Sequence, residues 1–375
     1  MAEADLGPAR TAEVVIGCAE LEPSLDFYID IGFELDLISP ADAPTTAVVS
    51  GFGLTVRLVV DPAHAADDWP VRLRLTLREP ANGNSAESRL VAPEGTIVDV
   101  VSREAEPVLP PAHAAVEVSR FDQDDFGTGR ASMAYRDLLP SRQGGRYIAS
   151  HIRIAEGGPV PDYVHYHRIL FQLIYCRRGW VRVVYEDQGE PFVLEPGDCV
   201  LQPPGIRHRV LEASDGLEVI EVGCPAIHDT LTDRSLDLPN APPDPARLFG
   251  GQRFVRHVAA DAATTVDEFG FTSRDVGLSD ATDGMVSLRA LTLDGRQPEA
   301  RSAPVDSDLY FVFVDEGRAA VVGPGADRIE LAAGDAVALP ADGDHQIDDC
   351  SADLAALELV VRHPQAADSA AAVNS

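Results

Sequence analysis

Two pieces of sequence, HYHRILFQLIYCRRG at residues 165–179 and GDCVLQPPGIRH at residues 197–208, decide how this 375-residue chain is read. Each carries a short β-favouring run, FQLIYC and DCVLQPP, closed by glycine or proline, so each reads as a strand ending in a tight turn. His165 and His167 stand two apart. In a strand, residues i and i+2 share a face, so both imidazoles reach one point, and His208, just past Gly205, joins them from a neighbouring strand. A single histidine on an apolar strand is ordinarily a hydrogen-bonded core residue; three that converge suit a divalent metal.

Working outward, RYIASHIRI, WVRVVYE, PFVLE, RHRVLEA and LEVIEVG surround these pieces, so residues 128–235 read as a sandwich or barrel of short strands. Residues 250–364 repeat the style with VSLRALTLD, LYFVFVDEG, RIELAAGD and LAALELVVR, a second copy of the barrel. Before residue 110, TAEVVIGCAEL reads as a strand. EPSLDFYIDIGF reads as an amphipathic helix with Leu25, Phe27, Tyr28 and Ile31 near helical spacing, and TTAVVSG, FGLTVRLVV, VRLRLTLRE and GTIVDVV read as further strands, making this unit α/β. The Pro-rich stretches EAEPVLPPAH (104–113) and LDLPNAPPDPAR (236–247) read as extended linkers, and the alanine-rich tail 365–375 as disordered.

The spacing also resembles a family. The first piece resembles the first cupin motif and the second piece the second. The resemblance implies a mainly β protein of two double-stranded β-helix barrels, with a metal inside the first held by His165, His167 and His208. Where cupins commonly place a glutamate ligand this chain has Gln172, a neutral donor that cannot act as a general base; it serves either as a fourth ligand or as a residue that orients substrate or dioxygen. Aligned on turn glycines, Gly317 falls opposite Gly179 and Gly334-Asp335 opposite Gly197-Asp198, with Pro340 and His345 opposite Pro203 and His208. Ala303, Val305 and Tyr310 take the places of His165, His167 and Gln172, so this copy is expected to be degenerate, metal-free and structural. The opening VVIGCAELEPSLDFYIDIGFELD resembles the first βαβ of the vicinal oxygen chelate (glyoxalase and bleomycin-resistance) family and APEGTIVDVV its closing strand. Glu13 and Asp99 then fall at that family's two ligand positions, yet residues 61–95 are too few and too polar for a second whole module. A degenerate βαβββ-type module with structural or surface acids is expected.

Around the first barrel's site, strand parity puts His151 and Arg153 on one face, where Arg153 could pair a substrate carboxylate and His151 line the cavity, or where both point to solvent. Cys176 shares the Gln172 face of its strand, and Tyr163 and Tyr166 flank the ligands as rim or packing residues. Imidazole sites accept iron, manganese, nickel, copper and zinc; iron(II) is the first choice, because three-histidine cupins include dioxygenases of thiols and diketones. Three neutral donors leave the ion its full double charge, which favours a small anionic chelating substrate.

Composition removes other classes. With 61 acidic against 30 basic residues the net charge is -31, which repels nucleic acid and anionic membranes, so neither is expected as a partner. Every basic residue is arginine, which excludes lysine Schiff bases, pyridoxal phosphate attachment and a P-loop lysine. Cys18, Cys176, Cys199, Cys224 and Cys350 form no CxxC pair, so neither a disulfide framework nor structural zinc is indicated, and a cytoplasmic location is expected. The N-terminus lacks a signal-peptide core and no apolar run approaches the roughly 20 residues that span a bilayer. The expected function is a metal-dependent cupin dioxygenase, with a metal-dependent lyase or isomerase, or a non-catalytic sensor, as alternatives and a homodimer as its possible assembly.

Overall fold

The computed structural model describes residues 13–39, 44–60, 71–77, 88–102, 109–111, 113, 115–128, 133–233, 235–293, 300–302, 307–322, 328–339 and 346–362. The chain divides into two compact units, Met1–Ala105 and Glu106–Ser375. No helix among the described residues is long and apolar enough to cross a membrane. The tail at 365–375 lies outside the described residues.

In the first unit, strand Val14–Cys18 leads into helix Leu21–Asp30, which buries Leu21, Ser24 and Tyr28 at i, i+3 and i+7 while Leu25, Phe27 and Ile31 are only partly covered. Strands Glu34–Ser39, Thr46–Gly51 and Leu54–Val60 complete a βαβββ element, in which Val14–Cys18 pairs in parallel with Leu54–Val60. A tight hairpin at Phe52-Gly53, both at positive φ, brings the latter back beside the first strand. Strand Ile97–Ser102 closes a separate three-stranded sheet, parallel to Arg72–Leu77 and antiparallel to Ser88–Val91. Glu13 pairs with Arg57 at 2.6 Å and Asp99 with Arg89 at 2.7 Å, so both acids serve as partners for arginine.

The second unit is two β-barrels related strand for strand. The first has a seven-stranded sheet with Cys199–Gln202, Phe171–Arg178, Leu217–Cys224 and Ile148–Ile154 in adjacent order; the second repeats it with Ala336–Leu339, Leu309–Glu316, Ala355–Val361 and Val286–Thr292. A smaller sheet closes each barrel, containing His165–His167, His208–Ala213 and Val181–Tyr185 in the first and Arg301–Ser302, Gln346–Asp348 and Arg318–Val322 in the second. Alternation does the sorting. Phe171, Leu173 and Tyr175 face the same shared core as Leu309, Phe311 and Phe313, while Gln172 and Tyr310 turn into their own barrels. The two large sheets are thus packed face to face.

Edge strands are exchanged between the barrels. Glu117–Ser119, which precedes the first barrel, pairs with Ala336–Ala338 of the second, and Val255–His257, which precedes the second, pairs with Cys199–Leu201 of the first. Side chains repeat the exchange: Asp335 accepts from the Phe121 amide and Asp198 from the Ala259 amide, both at 2.8 Å. Arg136 donates to the Gly334 carbonyl and Arg274 to that of Gly197. Gly197 and Gly334 have φ of 94° and 90°, and a Cβ at either would come within 2.9 Å of Ala259 or 2.7 Å of Phe121, so only glycine fits these turns. The proline-rich stretch 236–247 is bound rather than a free spacer, since Asn240 exchanges two hydrogen bonds with Asp187 and Arg247 bridges Glu186 and Asp187.

Candidate metal centre

His165 and His167 are buried on one face of their strand, with the half-buried Tyr166 between them pointing the other way. His165 is paired in register with His208 on the adjacent strand, and His167 with Thr230 on the far side. The ring centroids of His165 lie 5.1 Å from His167 and 4.2 Å from His208, and one ligand atom from each of the three falls within 4.8 Å of the others.

Each ring is held by its Nδ1. That of His165 bonds the Tyr163 carbonyl at 2.8 Å, that of His208 the Ile206 carbonyl at 3.1 Å, and that of His167 the Thr230 hydroxyl at 3.0 Å. A carbonyl accepts only from a protonated nitrogen, so the neutral tautomer places the lone pair on Nε2, the arrangement a metal requires. Asp162 adds a carboxylate oxygen 3.6 Å from the His165 Nδ1 while its other oxygen accepts from the Val210 amide. Gly205, at φ 74°, forms the turn that launches His208, and its amide donates to the His167 carbonyl.

These histidines line an open cavity inside the first barrel, together with Gln172, Gln202, Tyr135, Tyr185 and Glu221 and otherwise apolar side chains. Gln172 is 3% exposed and its Oε1 has no hydrogen-bond partner. An orphaned buried amide oxygen beside three Nε2 lone pairs is a donor set that fits a divalent transition metal. Gln202, the register partner of Gln172, donates from Nε2 to the Tyr185 hydroxyl at 2.7 Å and leaves its own Oε1 without a partner. Burial pushes the Tyr185 phenol far above its ordinary range, so it stays protonated, and its ring stacks on His208 at 5.4 Å.

His151 and Arg153 are not part of this cavity. Ile152 and Ile154 face it, and parity turns His151 and Arg153 the other way, between the barrels rather than to solvent. There the His151 Nε2 bonds Glu218 at 2.8 Å with its ring 6.0 Å from Phe313, and Arg153 reaches Glu218 at 3.2 Å while lying 4.1 Å over Phe126. Arg177 bonds the same carboxylate and, at 2.6 Å, Asp315 of the second barrel. Burial lowers the His151 imidazole and would raise Glu218, but hydrogen bonds from His151 and Arg177 outweigh burial at Glu218 and hold it at about 2. Cys176 does lie on the Gln172 face, but burial holds its thiol at about 12, bonded to the Gly179 carbonyl and away from the cavity lining. Tyr163 is exposed at the rim and Tyr166 packs under Arg207.

Glu221, Gln202 and Tyr185 escaped the sequence reading although a signal existed. In WVRVVYE, parity carries the inward face from Val181 and Val183 to Tyr185, and in LEVIEVG from Leu217 and Val219 to Glu221, an acid where alternation calls for an apolar residue. His228, whose ring lies 5.3 Å from that of His167, had no such signal.

At the equivalent place in the second barrel, Tyr310 holds the position of Gln172 and Glu358 that of Glu221, by register. Arg301 donates to Glu358 through Nε at 3.0 Å and Nη2 at 2.8 Å, also bonds Asp267, and the Tyr310 hydroxyl donates to Glu358 at 3.0 Å. Ala303, Val305, Pro340 and His345 lie outside the described residues.

Residues 150–222 match the family profile described as the cupin domain. Among solved structures, a serine-to-alanine mutant of Bacillus subtilis oxalate decarboxylase superposes with a TM-score of 0.50 at 14% identity, over 68% of this chain and 78% of that one. A Bacillus subtilis oxalate decarboxylase studied for its Mn(II) centres gives 0.49 at 14% identity, over 68% and 79%. The likeness is one of fold. No curated protein matches the chain. The first barrel carries a cupin domain, and the family match does not extend to the first unit.

Proposed function

We propose that the first barrel is the catalytic domain of a divalent-metal-dependent cupin enzyme, an iron(II) dioxygenase acting on a small anionic chelating metabolite of the diketone or enolate, thiol or catechol type. The observation that carries this reading is the buried trio His165, His167 and His208, each ring tied through Nδ1 and turned with Nε2 toward a common point on a cavity wall. A bound iron(II) would supply Lewis acidity and one-electron chemistry there. The chain's own contribution is positioning. The Tyr163 and Ile206 carbonyls fix the tautomers of His165 and His208, Thr230 anchors the His167 ring, and Gln172, which as an amide takes no proton, is left to accept a hydrogen bond from substrate. The aliphatic walls exclude water from the reacting head.

One observation favours a second reading. Glu221 puts a carboxylate into the same cavity, which gives a lyase or isomerase a group able to take or return a proton without dioxygen. Elemental analysis of protein purified without chelators, followed by anaerobic iron(II) reconstitution and an oxygen-electrode assay with a diketone, a thiol and a catechol, tests both. Oxygen uptake coupled to substrate loss supports the dioxygenase. Turnover that persists without air replaces it with the lyase, and a site that takes up no metal removes the enzyme assignment altogether.

A further inference from the structure

The cavity around the histidines combines features that do not suit a small dianion. Met133, Ile152, Ile154, Ile174, Val183 and Val219 line it with other aliphatic side chains, and no arginine is among its lining residues. Arg153, beside the lining residues Ile152 and Ile154, is turned out of the barrel onto Glu218 and Phe126. Polar groups are confined to the three imidazoles, Gln172, Gln202, Tyr135, Tyr185 and Glu221, and the two glutamines each present a buried amide oxygen that lacks a donor.

We infer that this site selects a predominantly apolar organic molecule with one polar head, carrying at most a single negative charge, and rejects compact dicarboxylates. This rests on the metal reading of the site for its polar end and on the lining alone for its apolar end. A carboxylate placed among apolar walls loses its water with no guanidinium to replace it, and a second one doubles that cost. The two amide oxygens accept from hydroxyl, enol or amide protons on the head, which gives orientation without adding charge.

The test is titration calorimetry of the full-length protein, loaded with redox-inert zinc and checked for metal content, against straight-chain β-diketones from 2,4-pentanedione to 2,4-nonanedione and against oxalate and malonate. Affinity is expected to rise about fourfold for each added methylene, the value for burying a CH₂ group, with both diacids weaker than the longest diketone by at least about tenfold. Val183→Thr, which keeps the shape and adds a hydroxyl, is expected to weaken the longest diketone about fivefold. A flat series, tighter binding of either diacid, or unchanged binding in Val183→Thr overturns the inference. Protein that takes up no zinc overturns the metal reading instead, and the same series on that sample still decides the apolar one: persistent methylene increments support it and a flat series sinks it.

Discussion

The two barrels share a strand order and a set of turn glycines, yet one surrounds an open cavity with three imidazoles and the other sets an ion pair at equivalent inward positions. Glu221 and Glu358 occupy equivalent positions on equivalent strands. In the first barrel the carboxylate faces a cavity; in the second it is clamped by Arg301 and Tyr310 at 2% exposure. The residues that separate a site from an ion pair are therefore few, and they stand on the strands of the smaller sheet and on the inward faces of the larger one. The outward faces, which make the shared core, are apolar in both barrels because each sheet must bury the other.

The largest effect expected from this contrast is at the metal. His208→Ala should take the first barrel from roughly one bound metal per chain to almost none, measured by elemental analysis. A variant that keeps its full complement would break the contrast by placing the metal elsewhere. Next, Arg301→Met leaves buried Glu358 with Arg289, at 3.7 Å, as its remaining cation and should cost about 3 kcal/mol in urea unfolding, most of which Glu358→Gln in the same chain should restore. A single variant that unfolds like the parent would mean that the ion pair does not hold the second barrel as described.

The third effect concerns the polar cluster between the barrels, where Glu218 faces Ala355 at the equivalent position of the second barrel. The folded-state carboxyl sits at about 2 against an ordinary 4.5, so its contribution is present above pH 4.5 and is lost as pH falls toward 2. Discounted for solvent at a side chain 11% exposed, this amounts to about 2 kcal/mol. His151, lowered by burial, adds to the same acid sensitivity below its ordinary 6.5. Glu218→Gln should lose that contribution at pH 7 and flatten the acid limb; urea midpoints at pH 7, 4 and 3 decide it, and an unchanged limb would assign the acid sensitivity elsewhere. The smallest effect is at Thr230→Val, which removes the hydroxyl from the His167 Nδ1 and should weaken metal binding about tenfold in competition with a chelator. Unaltered affinity would show that strand geometry alone orients His167.

The histidine site was legible because its determinants are local. His165 and His167 need only the two-residue strand period, and His208 only the Gly205 turn that precedes it. His151 and Arg153 were misplaced in the open alternative because parity ranks residues on one strand without saying which face looks inward; that is set by Phe313 and Asp315 of the other barrel, far along the chain. The exchanged strands at 117–119 and 255–257 carried no sequence signal for the same reason. Each is three residues long, and its pairing partner lies in the other barrel.

The strand exchange also has a consequence in time. As the chain leaves the ribosome, every strand of the first barrel has been made once Thr230–Thr232 emerges, except the edge that comes with Val255–His257. Glu117–Ser119, among the earliest segments of this unit, has no partner until Ala336–Ala338 is synthesised. The first barrel's large sheet is complete once Val255–His257 emerges, but its apolar outer face stays uncovered until Val286–Thr292, Leu309–Glu316 and Ala355–Val361 of the second barrel follow. Long-range closure of this kind is slow and exposes the nascent chain to aggregation. The second barrel is thus the partner whose sheet must cover the first, which gives the chain a structural reason to carry it.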